Sequence, residues 1–239
     1  MKIVISGYGR MGKLIHQTAL KKNHLISAIL DNDKDWKQYE NEIRLADMVI
    51  DFSVPDAVMG VIKRCFGYNI PLVTGTTGWY NKLNDIKDEC IKTKQSLLYA
   101  PNFSIGMNIL FAINKYLSQL MNEATQYDVS IQEAHHKNKL DAPSGTAIKI
   151  ATDIIGNINR KNKWVNNESH NKEELEIFSE RKDNIIGVHQ VIYTSNEDEI
   201  IIEHQAKNRD GLALGAIIAA EWLLGKTGFY TMEDIFKYK

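Results

Sequence analysis

Residues 1–31 read MKIVISGYGRMGKLIHQTALKKNHLISAILD, and this stretch decides the fold. Lys2 to Ser6 is a short β-branched run, the pattern of a buried strand, and Gly7 ends it. Apolar residues then recur at Met11, Leu14, Ile15 and Ala19, which predicts an amphipathic helix from Arg10 to Lys22. Leu25 to Leu30 returns to strand. Gly7-Tyr8-Gly9-Arg10-Met11-Gly12 matches G-x-G-x-x-G at the junction of strand and helix. Gly7 permits the tight turn, Gly9 lets a pyrophosphate approach the backbone, and Gly12 lets the helix pack on the strand. Unpaired N–H groups and the helix dipole attract phosphate at that helix start. Asp31 ends the second strand, where an acid bonds the ribose 2′-hydroxyl of a dinucleotide. A glycine turn that merely joins strand to helix is the alternative, and it needs no such acid. The expected cofactor is therefore NADH or NADPH. A lone Asp31 followed by Asn32 favours NADH, although Lys34 could reach a 2′-phosphate and Arg10 is a candidate for a phosphate contact.

Outward from this unit, strand and helix patterns keep alternating. Asp47 to Phe52, Pro71 to Thr74 and Ser96 to Tyr99 read as strands, with helices over Val54 to Phe66 and Tyr80 to Lys92. That rhythm implies a Rossmann-type, doubly wound parallel α/β sheet covered on both faces. After Phe103 the rhythm changes. A helix over Ile105 to Met121 leads to a strand at Asp128 to Glu133 and a helix beginning near Ser144. Ile185 to Thr194 and Glu199 to Ala206 read as an antiparallel hairpin, and Leu212 to Leu224 is helical again. The polar segment Asn157 to Arg181 is expected to be an exposed loop or lid. These patterns predict an inserted α+β domain over 104–208, for substrate binding and oligomerisation, within a dinucleotide-binding domain of 1–103 and 209–239.

The chain has 239 residues, enough for one large domain or two small ones. Its 29 basic and 30 acidic residues nearly cancel, which argues against a nucleic-acid partner. The run Leu212 to Leu224 is broken by Glu221 and too short to span a bilayer. Cys65 and Cys90 lack metal-ligand spacing, so no disulfide framework or metal site is expected. No apolar signal region precedes the first strand, and the expected compartment is the cytoplasm.

Two loops fall at the carboxyl ends of predicted strands, where open α/β sheets bind ligands. They are Thr74-Gly75-Thr76-Thr77-Gly78 and Ala100-Pro101-Asn102-Phe103. Their composition also suits ordinary turns, so position rather than residue type makes them cofactor candidates.

The densest polar cluster is EAHHKNKLDAPSGT, Glu133 to Thr146. His titrates near neutrality and Lys can be tuned by desolvation, so both suit proton transfer at an element end. Pro143-Ser144-Gly145-Thr146 reads as a helix start whose N–H groups can receive a carboxylate. Adjacent histidines on a strand point to opposite faces, so at least one of His135 and His136 can be structural, and the pair alone does not converge on a metal. A polar loop with an N-cap and solvated histidines is the alternative reading.

The segment EAHHKNKLDAPSGTA resembles the signature of the 4-hydroxy-tetrahydrodipicolinate reductase family, which serves the diaminopimelate route to lysine. GYGRMG, VTGTTG and APNFSIGMN resemble that family's cofactor loops in order and spacing, and the likeness covers essentially the full chain. The resemblance implies that His135 is a proton donor/acceptor and Lys139 a proton donor. It implies that His136, Gly145 and Thr146 bind the substrate's carboxylates. Gly7 to Gly12, Asp31, Gly75, Thr76, Thr77, Ala100, Pro101, Asn102 and Phe103 would hold the cofactor. It implies a homotetramer as well, and the two-domain layout predicts hinge closure. The chain departs from the family at Pro101, where others often carry Ala, and in lacking an Arg after Asp31. A different reductase on the same fold, or a non-catalytic nucleotide sensor, would not require the His-His-x-x-Lys segment and the small-residue helix start.

Overall fold

The structure, a computed structural model, describes residues 1–236. The chain divides into two compact units, Met1–Ile105 with the stretch from Asp210 onward, and Gly106–Arg209.

In the first unit, strands β1 (Lys2–Ser6), β2 (Leu25–Leu30), β3 (Met48–Asp51), β4 (Leu72–Thr74) and β5 (Ser96–Tyr99) are joined through helices. These are α1 (Arg10–Lys21), the short α2 (Asp33–Gln38) and α3 (Glu40–Arg44), α4 (Pro55–Tyr68) and α5 (Leu83–Lys92). A 3₁₀ turn at Tyr80–Lys82 precedes α5, where the sequence predicts one continuous helix. Continuing the second unit, the chain forms α6 (Ile105–Glu123), β6 (Asp128–His135), α7 (Gly145–Ile155), β7 (Lys163–Asn166), β8 (Glu174–Arg181), β9 (Gly187–Thr194) and β10 (Glu199–Ala206). It re-enters the first unit as α8 (Asp210–Leu223), β11 (Gly228–Tyr230) and α9 (Met232–Ile235).

The first sheet is wholly parallel in the order β11-β5-β4-β3-β1-β2. Both faces are dry, because alternate strand residues serve different cores. Ile3, Ile5, Met48 and Ile50 pack towards Ala216, Ile217 and Ala220 of α8. Val4, Val49 and Leu72 pack towards Val58, Ile62 and Cys65 of α4. Helix α8 comes close because its residues are small: a Cβ on Gly215 would lie 1.7 Å from the Phe103 carbonyl oxygen. From β1 the chain runs outward to β2 and then returns across β1 to β3. The strand order thus reverses at β1, and Gly7 stands at the carboxyl end of that switch point.

The second sheet is mixed, in the order β10-β9-β6-β8-β7, antiparallel from β10 to β6 and parallel from β6 to β7. Val129 and Ile131, with Leu175, Ile177, Val191 and Tyr193, face a core closed by α6 and α7. The polar segment Asn157 to Arg181 is not the loop or lid that its composition predicts. It holds β7 and β8, and β8 turns Leu175 and Ile177 into the core in strict alternation with polar neighbours. Lys161 is buried within it and donates to the carbonyls of Lys172 (2.9 Å) and Glu174 (2.8 Å) while pairing with Asp128 (2.7 Å).

Candidate active site

Gly7 has φ +82°, and a Cβ there would lie 2.6 Å from the Phe52 carbonyl oxygen and from Ser53 Cα. Gly12 is equally constrained, since its Cβ would stand 2.1 Å from the Gly7 carbonyl oxygen. Gly9 differs: a Cβ there would meet nothing within 4 Å, so the space it leaves open is not taken up by the protein. Gly9 is also the N-cap of α1 and has no side chain to cap the first turn, leaving those N–H groups for an anion. Asp31 accepts the Tyr8 backbone N–H at 2.8 Å through Oδ1, which fixes the carboxylate beside the loop. Both residues line a cleft of about 690 Å³ that also takes in Ser53, Asp56 and Arg64. A dinucleotide fits this cradle: an open N-terminus for phosphate, and beyond it a carboxylate for the ribose.

Within the glycine loop, Arg10 is exposed, and Met11 packs partly against the core. The Tyr8 hydroxyl and His16 Nδ1 share a 2.7 Å hydrogen bond. In the second loop Thr77 is exposed, but Thr76 is buried and turned inward. The Thr76 hydroxyl donates to Asp51 Oδ2 at 2.8 Å, and its carbonyl accepts from Trp79 Nε1 at 2.7 Å. Thr74 donates to the same buried carboxylate oxygen at 2.7 Å, so Asp51 pins the loop from beneath. Gly75 leaves room for the Phe52 ring, 2.3 Å from where its Cβ would lie. In the third loop Pro101 is exposed and Asn102 half-buried, accepting the Ser104 N–H at 2.9 Å. Ala100 and Phe103 are core residues, the Phe103 ring stacking obliquely on Phe52 at 5.5 Å.

Arg64 escapes the sequence reading. It reaches the nucleotide cleft from α4, pairs with Asp33 at 2.8 Å and lies over the Trp36 ring at 5.2 Å. Helical periodicity places it on the outward face of α4 but does not reveal what it meets there.

In the second unit the chemical segment leaves β6 at His135. His135 is buried, whereas His136 lines a different cleft, of about 560 Å³, with Lys137, Asn138 and Asp183. Ser144 is the N-cap of α7, its hydroxyl accepting the Ala147 N–H at 3.2 Å. Gly145 and Thr146 follow as the first two residues of that helix, and around Gly145 no heavy atom stands within 4 Å of a would-be Cβ. Lys139 reaches Asp141 at 2.8 Å, and the Gly145 backbone N–H bonds the same carboxylate. Burial alone would raise the Asp141 carboxyl, yet these partners hold it below its ordinary range. Lys139 and the α7 N-terminus thus converge on a carboxylate.

Beneath them lies a buried network. Glu133 Oε1 accepts the Ser144 N–H at 3.0 Å, the Ser179 hydroxyl at 2.9 Å and Arg181 Nη2 at 3.2 Å. Its Oε2 faces His135 Nδ1 at 3.3 Å and His189 Nε2 at 3.7 Å. Burial opposes ionisation of Glu133, but the His135, Ser144 and Ser179 bonds outweigh it and hold the carboxyl far below the carboxylate range. Burial, then the neighbouring His135, pushes His189 down to about 3, so His189 is neutral. Ligand atoms of Glu133, His135 and His189 lie within 4.8 Å of one another. The Arg181 guanidinium already supplies a positive charge to that carboxylate, which disfavours a cation there.

The parallel sheet with a glycine loop at its switch point defines a nucleotide-binding α/β protein, here carrying a second unit built around an anion-receiving helix start. The models of the dihydrodipicolinate reductase N-terminus and C-terminus match residues 1–103 and 106–236. The chain is 41% identical over 238 residues to the 4-hydroxy-tetrahydrodipicolinate reductase of Christiangramia forsetii, covering 98% of this chain and 97% of that one. It is 36% identical to the same-named protein of Clostridium novyi, covering 100% and 99%. A solved structure of dipicolinate-bound dihydrodipicolinate reductase from Paenisporosarcina sp. TG-14 shares the fold at TM-score 0.81 and 22% identity, over 99% of both chains. The chain belongs to the dihydrodipicolinate reductase family. Among the described residues, no helix is long and apolar enough to cross a membrane.

Proposed function

We propose that this chain reduces 4-hydroxy-tetrahydrodipicolinate to tetrahydrodipicolinate, with loss of the 4-hydroxyl as water, in lysine biosynthesis by the diaminopimelate route. The observation that carries the reading is family membership along the whole chain, with relatives of that name at 33–41% identity. The first unit binds the nucleotide and the second binds the substrate.

A bound nicotinamide supplies the hydride to C4 of the ring. The remaining work is proton transfer and charge neutralisation, which this chain's side chains provide. Lys139, Gly145 and Thr146 receive one substrate carboxylate, displacing Asp141, and His136 serves the substrate's carboxylates from its own side of the strand. His135 and Lys139 exchange the protons that the leaving hydroxyl and the reduced ring require. Gly7 to Gly12 hold the pyrophosphate and Asp31 the adenosine ribose. Gly75 to Thr77 and Ala100 to Phe103 shape the cofactor's remaining contacts, with Thr76 and Phe103 acting as supports from within.

NADH is the preferred cofactor. Asp31, Asp33 and Asp56 all line the cleft, and its Arg64 is already paired with Asp33, so a 2′-phosphate would enter an acidic site. The chain assembles as a homotetramer through the half-exposed face of the second sheet, which α6 and α7 leave uncovered, and works in the cytoplasm with Cys65 and Cys90 as buried free thiols.

The test is a coupled assay in which the upstream synthase generates the substrate in situ. Loss of NADH absorbance, faster than loss of NADPH absorbance, is expected. Tight NADH binding with no substrate-dependent oxidation would sink the reading in favour of a nucleotide sensor.

A further inference from the structure

We infer that Glu133 is the positioning residue that fixes the proton on Nδ1 of His135 and turns its Nε2 into the proton-exchanging atom. The inference rests on the reading of His135 as the group that trades a proton with substrate. Glu133 and His135 are alternate residues of β6, so both point to the same face of the sheet. Oε1 of Glu133 is saturated by Ser144, Ser179 and Arg181, which leaves only Oε2 to act and fixes where it sits. Oε2 and His135 Nδ1 are both fully buried, stand 3.3 Å apart and have no other hydrogen-bond partner. Two buried polar atoms left unpaired are costly, and a proton on Nδ1 pointing at Oε2 satisfies both at once. The neutral ring then carries its lone pair on Nε2, the nitrogen that lies against Gly187. A Cβ at Gly187 would stand 3.2 Å from that nitrogen, so the glycine keeps its approach clear.

Charged and titratable groups reach this cluster from several elements. Arg181 of β8 pairs with Glu133, the His189 ring of β9 lies 5.0 Å from the His135 ring, and His204 of β10 and Lys139 of the following loop act on His189. Arg181 spends its charge on Glu133, and His189 is kept neutral, so the Glu133 carboxylate is the group that opposes the positive charge His135 acquires on taking a proton.

Glu133→Gln keeps the shape, and its amide oxygen can still accept from Ser144 and Ser179. Its amide N–H, however, would face Nδ1, so the ring proton moves to Nε2. The expected turnover falls by about tenfold or more, while KM and NADH affinity stay within about twofold. The alkaline limb of the pH–rate profile moves to lower pH by about one unit, because an imidazolium without its carboxylate loses its proton sooner. A purely structural role would not move that limb. Histidine ¹⁵N–¹H spectra of the unmodified enzyme give a readout that does not depend on Glu133→Gln folding, with the His135 signal assigned by its loss in His135→Gln. A proton on Nδ1 is expected, and a proton on Nε2 would overturn the inference. Should His135→Gln retain turnover, the underlying reading fails. Should His135→Gln be inactive while Glu133→Gln leaves rate and limb unmoved, only the positioning role fails.

Discussion

Lys139 and Asp141 form a pair that the proposed reaction would break, a substrate carboxylate taking the place of Asp141. The aspartate carboxylate takes the Lys139 ammonium at 2.8 Å and the Gly145 N–H, the donor set a substrate carboxylate would need. On the proposed mechanism, truncation of Lys139 to Ala removes both a proton donor and half of an anion site. Turnover is expected to fall by about 10²–10⁴-fold, with NADH affinity, measured by fluorescence titration, unchanged. Unchanged turnover would show that Lys139 takes no part. Asp31→Asn removes the charge that, on the proposed reading, selects a ribose hydroxyl over a phosphate. The expected result is an NADH KM raised by about tenfold and a smaller preference for NADH over NADPH; an unaltered ratio would place the selectivity elsewhere, with Asp33 and Asp56 the nearest acids. The placement of Gly7, Gly9, Gly12 and Asp31 was legible because spacing within one βαβ unit fixes the strand, turn and helix that carry them. His189, Arg181 and Arg64 were not. Ser144 meets His189 from 45 residues away and Arg181 meets Glu133 from 48, and no local pattern encodes such a meeting. Glu133 and His135 do carry a signal, two polar residues at strand spacing on one face, which the adjacency of His135 and His136 masks.

At the scale of elements, the close packing of helices on the first sheet depends on missing side chains. Gly12→Ala would drive a methyl group into the Gly7 carbonyl and force α1 away from the turn whose N–H groups are proposed to receive phosphate. NADH affinity should weaken by about tenfold or more, since those N–H groups act only when correctly aimed. Isothermal titration checks this, and wild-type affinity would show that α1 does not carry the phosphates. Gly215→Ala makes the matching test away from the cofactor loop: the clash with Phe103 should cost about 1–3 kcal/mol in urea unfolding. The first unit's strands were legible as short continuous apolar runs ended by turn residues, α1 and α4 by apolar residues at helical spacing, and α8 as an apolar run too long for a strand. Segment 157–181 was misread because its average polarity hid ELEIFSER, in which Leu175 and Ile177 alternate with polar residues as a half-exposed strand should. The short α2 and α3 carry no amphipathic period. Each owes its place to a local device, a capping box at Asn32 and Asp35 for α2, and the burial of Ile43 for α3.

For the molecule as a whole, the buried network beneath the candidate site links its chemistry to its acid stability. His189 titrates at about 3 in the folded chain against an ordinary 6.5, because burial and then His135 disfavour its charged form. Above pH 6.5 both folded and unfolded chains hold this group neutral, and its contribution is complete. As pH falls below that value the unfolded chain takes up a proton that the folded chain refuses. Stability then declines by up to about 1.4 kcal/mol per pH unit until the folded group titrates. His204, pushed down by burial, adds a slope of the same sign. Glu133 works lower, because its folded carboxyl is depressed: its contribution is intact above about 4.5 and drains away in stronger acid. Urea unfolding at about pH 7.5, 6 and 5 should therefore show stability falling through a range where ordinary carboxylates do not yet titrate. His189→Gln should flatten that decline without abolishing it, since His204 remains, and should leave the steeper loss below about pH 4.5 in place. A wild-type stability that is level between pH 7.5 and 5 would mean that His189 admits a proton freely. The buried cluster would then be wetter and less tightly closed around Glu133 than the geometry describes.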